Sequence, residues 1–472
     1  MAIRRSQGDP AGVDGEGSIR IGYGGNESSS SPPLVLLEDN SASSLQVMRW
    51  KYLLALALWG VGCASAFAEE EKAFLFSPIS EAPEWRLLEN YQGTITQSQF
   101  EEKLKRIYDP TGALRKYLQI DEDGVEVFRD VAKTEPLFRL RWARPDAAPA
   151  SPAASFFLPD PQRPLLGRVI CLDPGHIGGD WADVEERTFR IGRDRPVVEG
   201  ELNLKTCRRL AERLTDAGAK VVWTHDGFAP TTNLRPADLY PEAIQYFLQD
   251  PVSRRQSGYS MNNLIRWNAE LLFYRSAEIQ ARARRVNEEL HPDFTLCLHY
   301  NAAPWGRAGR ASLTSVSRLV VFTHGSYTAS ELVYDDQKFH LLRKLLENSS
   351  GEEVDLAVAV AKEFKEKWGF RAEDYGGSVY ASPSGVSPYV WHRNLIANRL
   401  FSGPVVFVEG PYMNDRMTYG WIQAGEYEGT RFFGGKERQN IFQEYADRVA
   451  EGLIERFRSL PGRSSAFTIY SP

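Results

Sequence analysis

The sequence of 472 residues predicts an α/β fold: a central, mostly parallel or mixed sheet flanked by helices, with a small N-terminal α+β accessory domain. Two observations carry this prediction. Beyond Gly167, short apolar runs alternate with amphipathic helical patterns, which is the order that βα units produce. Before that point, a shorter segment with its own helix and strand patterns is set apart by a stretch rich in Pro and Ala.

Composition is that of an ordinary globular protein, with 42% hydrophobic and 25% charged residues. The formal net charge of −6 provides no general basic surface for phosphates, so we expect no nucleic-acid partner. Four cysteines are too few and too scattered for a disulfide scaffold or a cysteine-rich zinc module. Any metal site in this chain must therefore rely on histidines and carboxylates.

The N-terminal region carries a predicted export signal. Residues 1–47 are rich in Gly and Ser without periodicity, and we interpret them as disordered or as a mis-annotated upstream extension. Residues 48–68 join a short basic start, an apolar run and an Ala-Phe-Ala cleavage site, as in a secretory signal peptide. The apolar run is shorter than the ~20 residues that span a bilayer. We expect export to the periplasm or cell envelope, with no stable membrane span after cleavage.

The segment 69–143 is the predicted accessory domain. Thr96 and Gln99 form a capping-box pattern at the start of a helix, and 125–128 has the pattern of a short strand. No chemistry is assigned to this segment. Residues 144–166 are the predicted linker, because Pro and Ala favour an extended chain there.

The largest predicted domain covers 167–460 and is followed by a tail at 461–472. Strands are expected at 169–172, 220–224, 294–298, 319–322 and 404–408. Helices are expected at 201–217, 277–290, 352–368 and 439–457.

Three of these strands lead to titratable residues. VICL precedes Asp173-Pro-Gly-His176, FTLCL precedes His299, and PVVFV precedes Glu409. Because the carboxyl ends of strands line the ligand crevice of an open α/β sheet, these residues are expected to converge. Two histidines and a carboxylate are a common ligand set for catalytic zinc.

The residues alone leave the third ligand open. Every candidate is an acidic residue in or after the Asp173 to His176 loop, and spacing does not decide among them: Asp173, Glu185, Glu186, Glu199 and Glu201.

Four motifs, in order, resemble the zinc-dependent N-acetylmuramoyl-L-alanine amidase family of the amidase 3 type. They are LDPGHIGG, VVEGELNL, CLHYNA and PVVFVEGPYMND, and the resemblance covers about 167–460. It implies zinc-dependent hydrolysis of the amide bond between N-acetylmuramic acid and L-alanine in peptidoglycan. Two stretches, 227–275 and 306–390, have no counterpart in the family and are interpreted as insertions.

The resemblance also implies residue roles. His176, Glu199 and His299 match the Zn²⁺ ligands, and Glu409 matches the catalytic glutamate. Glu199 is preferred over Glu201 because it stands five residues before Leu204, as in the family pattern.

Three further residues are weaker candidates. Asn301, two positions after His299, and Arg393 are candidates for substrate binding. Asp173 is expected either to orient a ligand histidine or to cap its own turn. The expected partner is peptidoglycan, and any regulatory protein is unknown. Two other functions remain open: a zinc peptidase or carboxypeptidase, and a non-catalytic cell-wall-binding module on the same fold.

Overall fold

The computed structural model describes residues 75–144, 160–249, 260–305 and 311–459. The predicted upstream extension, the signal peptide, most of the linker and the C-terminal tail lie outside the described residues. Within them, no helix is both long and apolar enough to cross a bilayer.

The described N-terminal segment contains one α-helix, several short helical turns and a small antiparallel sheet. Helix α1 (Gln97–Lys103) begins with the predicted capping box: the Gln99 amide donates to Thr96 Oγ1 (3.3 Å) and the Thr96 amide to Gln99 Oε1 (3.1 Å). Strands β1 (Leu118–Ile120), β2 (Gly124–Phe128) and β3 (Pro136–Arg141) pair in sequence order. The helix and the strand predicted here are confirmed.

The central sheet has eight strands and is mixed, as predicted. Its strands are β4 (Val169–Pro174), β7 (Lys220–Trp223), β8 (Phe294–Asn301), β9 (Arg318–Thr323), β10 (Arg371–Ala372), β11 (Ala381–Pro383), β12 (Val390–Arg393) and β13 (Val405–Tyr412). The order is β11-β12-β9-β13-β8-β4-β7, and β10 pairs with β9. Only the β13–β9 and β11–β12 pairs among these described strands are antiparallel. A separate pair joins β5 (Thr188–Phe189) and β6 (Val197–Val198).

Helices cover both faces of this sheet. They are α2 (Glu199–Asp216), α3 (Tyr240–Gln249), α4 (Met261–Leu271), α5 (Glu278–Arg284), α6 (Asp335–Glu347), α7 (Ser350–Glu363), α8 (Ile396–Leu400), α9 (Arg416–Gln423) and α10 (Ile441–Arg458). A hairpin of β14 (Arg431–Phe433) and β15 (Lys436–Arg438) precedes α10. Alternate residues of β13 enter opposite hydrophobic clusters, because successive side chains of a strand point to opposite faces. One cluster includes α2, α7 and α10, and the other includes α5 and α8.

Three expected boundaries needed correction. The structure extends β8 to Asn301 and β13 to Tyr412, so His299 and Glu409 lie inside strands, where a strand end was expected. The helix expected at 277–290 is the second half of a helical rod from Met261 to Leu290. It includes π-helical turns at Leu272–Ala277 and Arg285–Leu290. Residues 261–275 of the 227–275 stretch therefore form the first part of this helical rod.

The N-terminal segment shares a hydrophobic cluster with α6. Phe100 and Leu114 belong to the same buried cluster as Phe339, Leu342 and Leu345. The 306–390 stretch thus supplies apolar surface to the segment before the linker. The proposed division into domains remains a prediction.

Candidate metal centre

His176, Glu199 and His299 converge at one point of the fold. Each offers a ligand atom, and these atoms all lie within 4.8 Å of one another. Glu199 lies between the two imidazoles: its Oε2 is 3.3 Å from His176 Nε2, and its Oε1 is 3.1 Å from His299 Nδ1. The structure therefore brings together the three residues that the motif resemblance singles out, and of the five acidic candidates it places Glu199 between the histidines.

Three different elements position these side chains. His176 follows β4 with a left-handed backbone (φ 65°), Glu199 is the first residue of α2, and His299 lies in β8. The loop that contains Gly175 and His176 passes directly against the His299 ring, since a Cβ added at Gly175 would lie 2.3 Å from a ring atom. Only glycine allows this approach.

The loop also presses against the start of α2. A Cβ at Gly200 would lie 2.6 Å from the Gly178 amide nitrogen, so two glycines meet where the loop crosses the helix. This close approach brings the Glu199 carboxylate to His176.

Glu185 holds the loop and contacts a candidate ligand. Its two carboxylate oxygens accept hydrogen bonds from the amides of Ile177 (2.8 Å) and Gly178 (2.9 Å). Its Oε1 also lies 3.4 Å from His176 Nδ1, the nitrogen that does not face Glu199. A carboxylate in this position fixes the orientation of the imidazole ring.

Asp173, expected either to orient a ligand histidine or to cap its own turn, contacts Thr224 and Arg282. It accepts hydrogen bonds from Thr224 Oγ1 (2.6 Å) and from the Arg282 guanidinium (3.0 Å). Besides Glu199, Glu185 is a carboxylate that contacts a candidate ligand histidine. In the sequence, Glu185 was one of several acidic candidates, and nothing distinguished it from the others.

Arg282 of α5 also holds the loop that presents His176. The sequence did not predict this role. Its guanidinium donates to the carbonyl oxygens of Pro174 (2.9 Å) and His176 (3.0 Å) as well as to Asp173. Its Nε donates to Glu278 (2.9 Å). The side chain is buried, and it is paired with two carboxylates as a buried charge requires. Arg282 lies in a run of basic residues, and no sequence motif distinguishes it from the others.

Glu409 lies next to the three convergent residues and is only 4% exposed. It pairs in register with His299 across β13 and β8. Its Oε2 has no hydrogen-bond partner in the described part of the chain. Burial, reinforced by the negative charge of Glu199, raises the pKa of Glu409 to about 8. A buried carboxyl with a free oxygen and a raised pKa is suited to proton transfer.

The electrostatics of the cluster favour a positive charge. Burial opposes protonation of His176, but Glu199 and Glu185 outweigh it and raise the pKa of His176 to about 9. Burial likewise acts to raise the pKa of Glu199, but the two histidines hold it below its usual range. Two imidazole nitrogens and one carboxylate, together with the unpartnered oxygen of Glu409, fit a zinc-type cation with a position left for water or substrate.

Arg393 and Asn301 occupy different surroundings. Arg393 is buried, its guanidinium lies 5.5 Å from the centre of the Phe322 ring, and its positive charge acts to lower the pKa of Glu409. Asn301 is also buried, and its Oδ1 accepts a hydrogen bond from the Ala302 amide (2.7 Å). Arg393 is therefore within electrostatic range of the site, whereas Asn301 contacts the backbone of the adjoining loop.

The cavity over the cluster is walled by elements from across the sheet. The helical rod contributes Tyr274, Arg275 and Ile279, α8 contributes Ala397, and Phe407 stacks on His299 with ring centres 4.3 Å apart. Arg187 also lines it, with Nε 3.6 Å from Glu199 Oε2. The predicted insertion at 227–275 thus supplies part of the wall.

Comparison with known proteins gave matches among solved structures alone. No family model matches the chain, and no curated protein matches it. The N-acetylmuramyl-L-alanine amidase Ami1 from Mycobacterium smegmatis is 15% identical, with a TM-score of 0.34, covering 62% of this chain and 98% of that one. The CwlD amidase from Clostridioides difficile, solved in complex with the GerS lipoprotein, is 12% identical, with a TM-score of 0.33 and coverages of 62% and 98%. The amidase AmiC2 of Nostoc punctiforme is 14% identical, with a TM-score of 0.30 and coverages of 61% and 94%. At these values the likeness assigns no activity and no residue role to this chain.

Proposed function

We propose that this protein is a zinc-dependent amide hydrolase that cleaves the bond between N-acetylmuramic acid and L-alanine in peptidoglycan. The observation that carries the proposal is the convergence of His176, Glu199 and His299 beside Glu409, a buried carboxyl with one unpartnered oxygen. The two imidazoles and Glu199 would hold the metal ion. The ordered motifs that resemble the amidase 3 family support the choice of substrate.

The metal ion, when bound, polarises the scissile carbonyl and makes a nearby water more acidic. The protein's own contribution is to hold and move a proton. In the ionised form, the Glu409 carboxylate accepts a proton from the attacking water, and it then donates that proton to the nitrogen of the leaving amine. A single carboxyl can serve both steps because its raised pKa lies near neutral pH.

The surrounding residues keep this arrangement fixed. Glu185 and Arg282 hold the loop that presents His176, and Phe407 packs against the His299 ring. Positioning of this kind lowers the barrier because the reacting groups are already in place before the substrate arrives.

The substrate class and the cellular location belong to the same proposal. A signal peptide at 48–68 would deliver the protein to the periplasm or cell envelope, where peptidoglycan is found. A zinc peptidase uses a similar ligand set, so the identity of the released fragments is the deciding property.

Digestion of purified peptidoglycan by the 69–472 protein, with and without a chelator, tests the proposal. Chelator-sensitive release of intact stem peptides with a new L-alanine amino group, read by mass spectrometry, is the expected result. Shortened peptides would indicate a peptidase. Zinc-bound protein that releases nothing would contradict the proposed activity and favour a binding module.

A further inference from the structure

We propose that Arg275 binds a carboxylate on the peptide side of the scissile amide, which makes it a specificity-determining residue of the cavity. This inference rests on the proposed function and goes beyond it by naming a chemical group that the substrate must carry. Arg275 lies in the π-helical turn Leu272–Ala277, outside all four motifs of the sequence.

Arg275 shares the cavity with the metal cluster. It lines the same space as His176, His299 and Glu409 and is half-buried. A guanidinium in such a place has lost part of its hydration, so a bound anion gains more from it than from a surface arginine.

The other arginines of the cavity already have carboxylate partners. Arg282 is paired with Asp173 and Glu278, and Arg187 lies 3.6 Å from Glu199. Among the described residues, no carboxylate pairs with Arg275, whose side chain donates a hydrogen bond to the Tyr274 hydroxyl. One cationic group of the cavity is therefore left to interact with a ligand.

Tyr274 holds the Arg275 side chain in place. The Arg275 Nε donates to Tyr274 Oη (3.0 Å), and the guanidinium carbon lies 5.4 Å from the centre of the Tyr274 ring. The two terminal nitrogens remain available for parallel hydrogen bonds to a carboxylate, which is the pairing that arginine geometry favours. Prior fixation reduces the entropy that is lost on binding.

The chemistry of the substrate indicates which carboxylate is meant. Arg275 and Arg282 lie on the same helical rod, seven residues apart, and Arg282 bonds to the carbonyl of His176 in the metal cluster. The carboxylates of a muramoyl peptide all lie on the peptide side of the scissile amide. We assign to Arg275 the first of them, that of the residue after L-alanine.

The test uses two soluble muramoyl peptides that differ at one group. The second residue carries a free α-carboxylate in one and a carboxamide in the other. We expect the zinc-loaded protein to favour the carboxylate substrate in kcat/KM by about 10-fold or more, the size of one charge-assisted pair. Arg275→Met should reduce this preference to about 2-fold or less, chiefly through a higher KM for the carboxylate substrate.

Two further variants guard against loss of folding. Arg275→Lys keeps the positive charge but loses the two parallel donors of the guanidinium, so it should retain part of the preference for the carboxylate substrate. Arg284→Met alters an exposed arginine of the same helical rod and should retain all of that preference. Dissociation constants for both substrates in Glu409→Gln protein, which binds without turnover, should show the same ratio.

Two outcomes would overturn the inference while leaving the proposed function intact: equal cleavage of both peptides by the unaltered protein, or a preference that survives in a folded Arg275→Met variant. Failure of the zinc-loaded protein to cleave either peptide would instead refute the proposed function, and the inference would fall with it.

Discussion

Glu409 and His299 are register partners on neighbouring parallel strands, although strands β9 to β12 and helices α6 to α8 lie between them in the chain. Main-chain hydrogen bonding between β13 and β8 therefore places the candidate proton-transfer group beside a candidate ligand. The candidate proton-transfer carboxyl and the candidate metal ligands can therefore be tested separately, even though they are adjacent in space.

Glu409→Gln should retain zinc and lose turnover by about 10²- to 10⁴-fold, because an amide of the same shape cannot accept the proton of water. Zinc content and release of stem peptides measure the two properties on one sample. His176→Ala is the matched control and should lose both. Substantial activity in a folded Glu409→Gln protein would remove Glu409 from the mechanism.

Arg282→Lys should weaken zinc binding by about 10- to 100-fold. The guanidinium of Arg282 donates to Asp173 and to the carbonyls of Pro174 and His176, and one ammonium group cannot replace all of these hydrogen bonds. Titration against a competing chelator gives the dissociation constant. Arg285→Lys, on the same rod but paired near the surface with Glu289, is the control and should bind zinc as the unaltered protein does. Equal affinity in both variants would contradict the positioning role of Arg282.

Gly175→Ala should lower both stability and zinc affinity. The new Cβ would lie 2.3 Å from the His299 ring, so either the loop or the ligand must move, at a cost of about 1–3 kcal/mol. Urea unfolding of the metal-free protein measures the first effect and chelator titration the second. Gly351→Ala in α7 has open space around its Cβ and should instead be neutral or slightly stabilising. A Gly175→Ala protein that matches the unaltered one would refute the close packing of the loop on His299.

Acid should destabilise the fold through His392. Burial lowers the pKa of this imidazole to about 4, and Thr323 Oγ1 lies 2.8 Å from its Nδ1. A histidine whose pKa is lower in the folded state takes up its proton first in the unfolded state. Stability is therefore complete above about pH 6.5 and is lost as the pH falls towards 4.

His392→Gln should reduce the loss of unfolding free energy between pH 7.5 and 5 by about 2 kcal/mol, compared with the unaltered protein. Urea unfolding at the two pH values gives the difference. His291→Gln, at an exposed position, is the control and should leave the pH dependence as it was. An equal dependence in the His392 variant would show that other groups govern acid sensitivity.

Periodicity predicted most of the central domain. The strands at 169–172 and 319–322 and the helices at 352–368 and 439–457 lie where apolar spacing placed them, to within a few residues. The strands containing His299 and Glu409 were predicted too short, because a polar residue reads as a strand end even where the sheet buries it.

The site was only partly predictable, because its remaining members act through contacts between distant segments. The acidic candidates could not be ranked by spacing, since Glu185 lies in a loop whose path depends on the glycine pair Gly178 and Gly200. Arg282 contacts the loop from a helix that follows much later in the chain, and neither its residue type nor its neighbours distinguish it.

The cluster shared by the N-terminal segment and α6 has a practical consequence for protein engineering. Phe339, Leu342 and Leu345 would face water in a fragment that begins after the linker, so removing the segment before the linker should favour aggregation. A cut between 144 and 160 should instead leave two pieces that copurify, since the same apolar contacts would hold them together without the peptide bond. The segment before the linker is thus better kept in any shortened version of the protein.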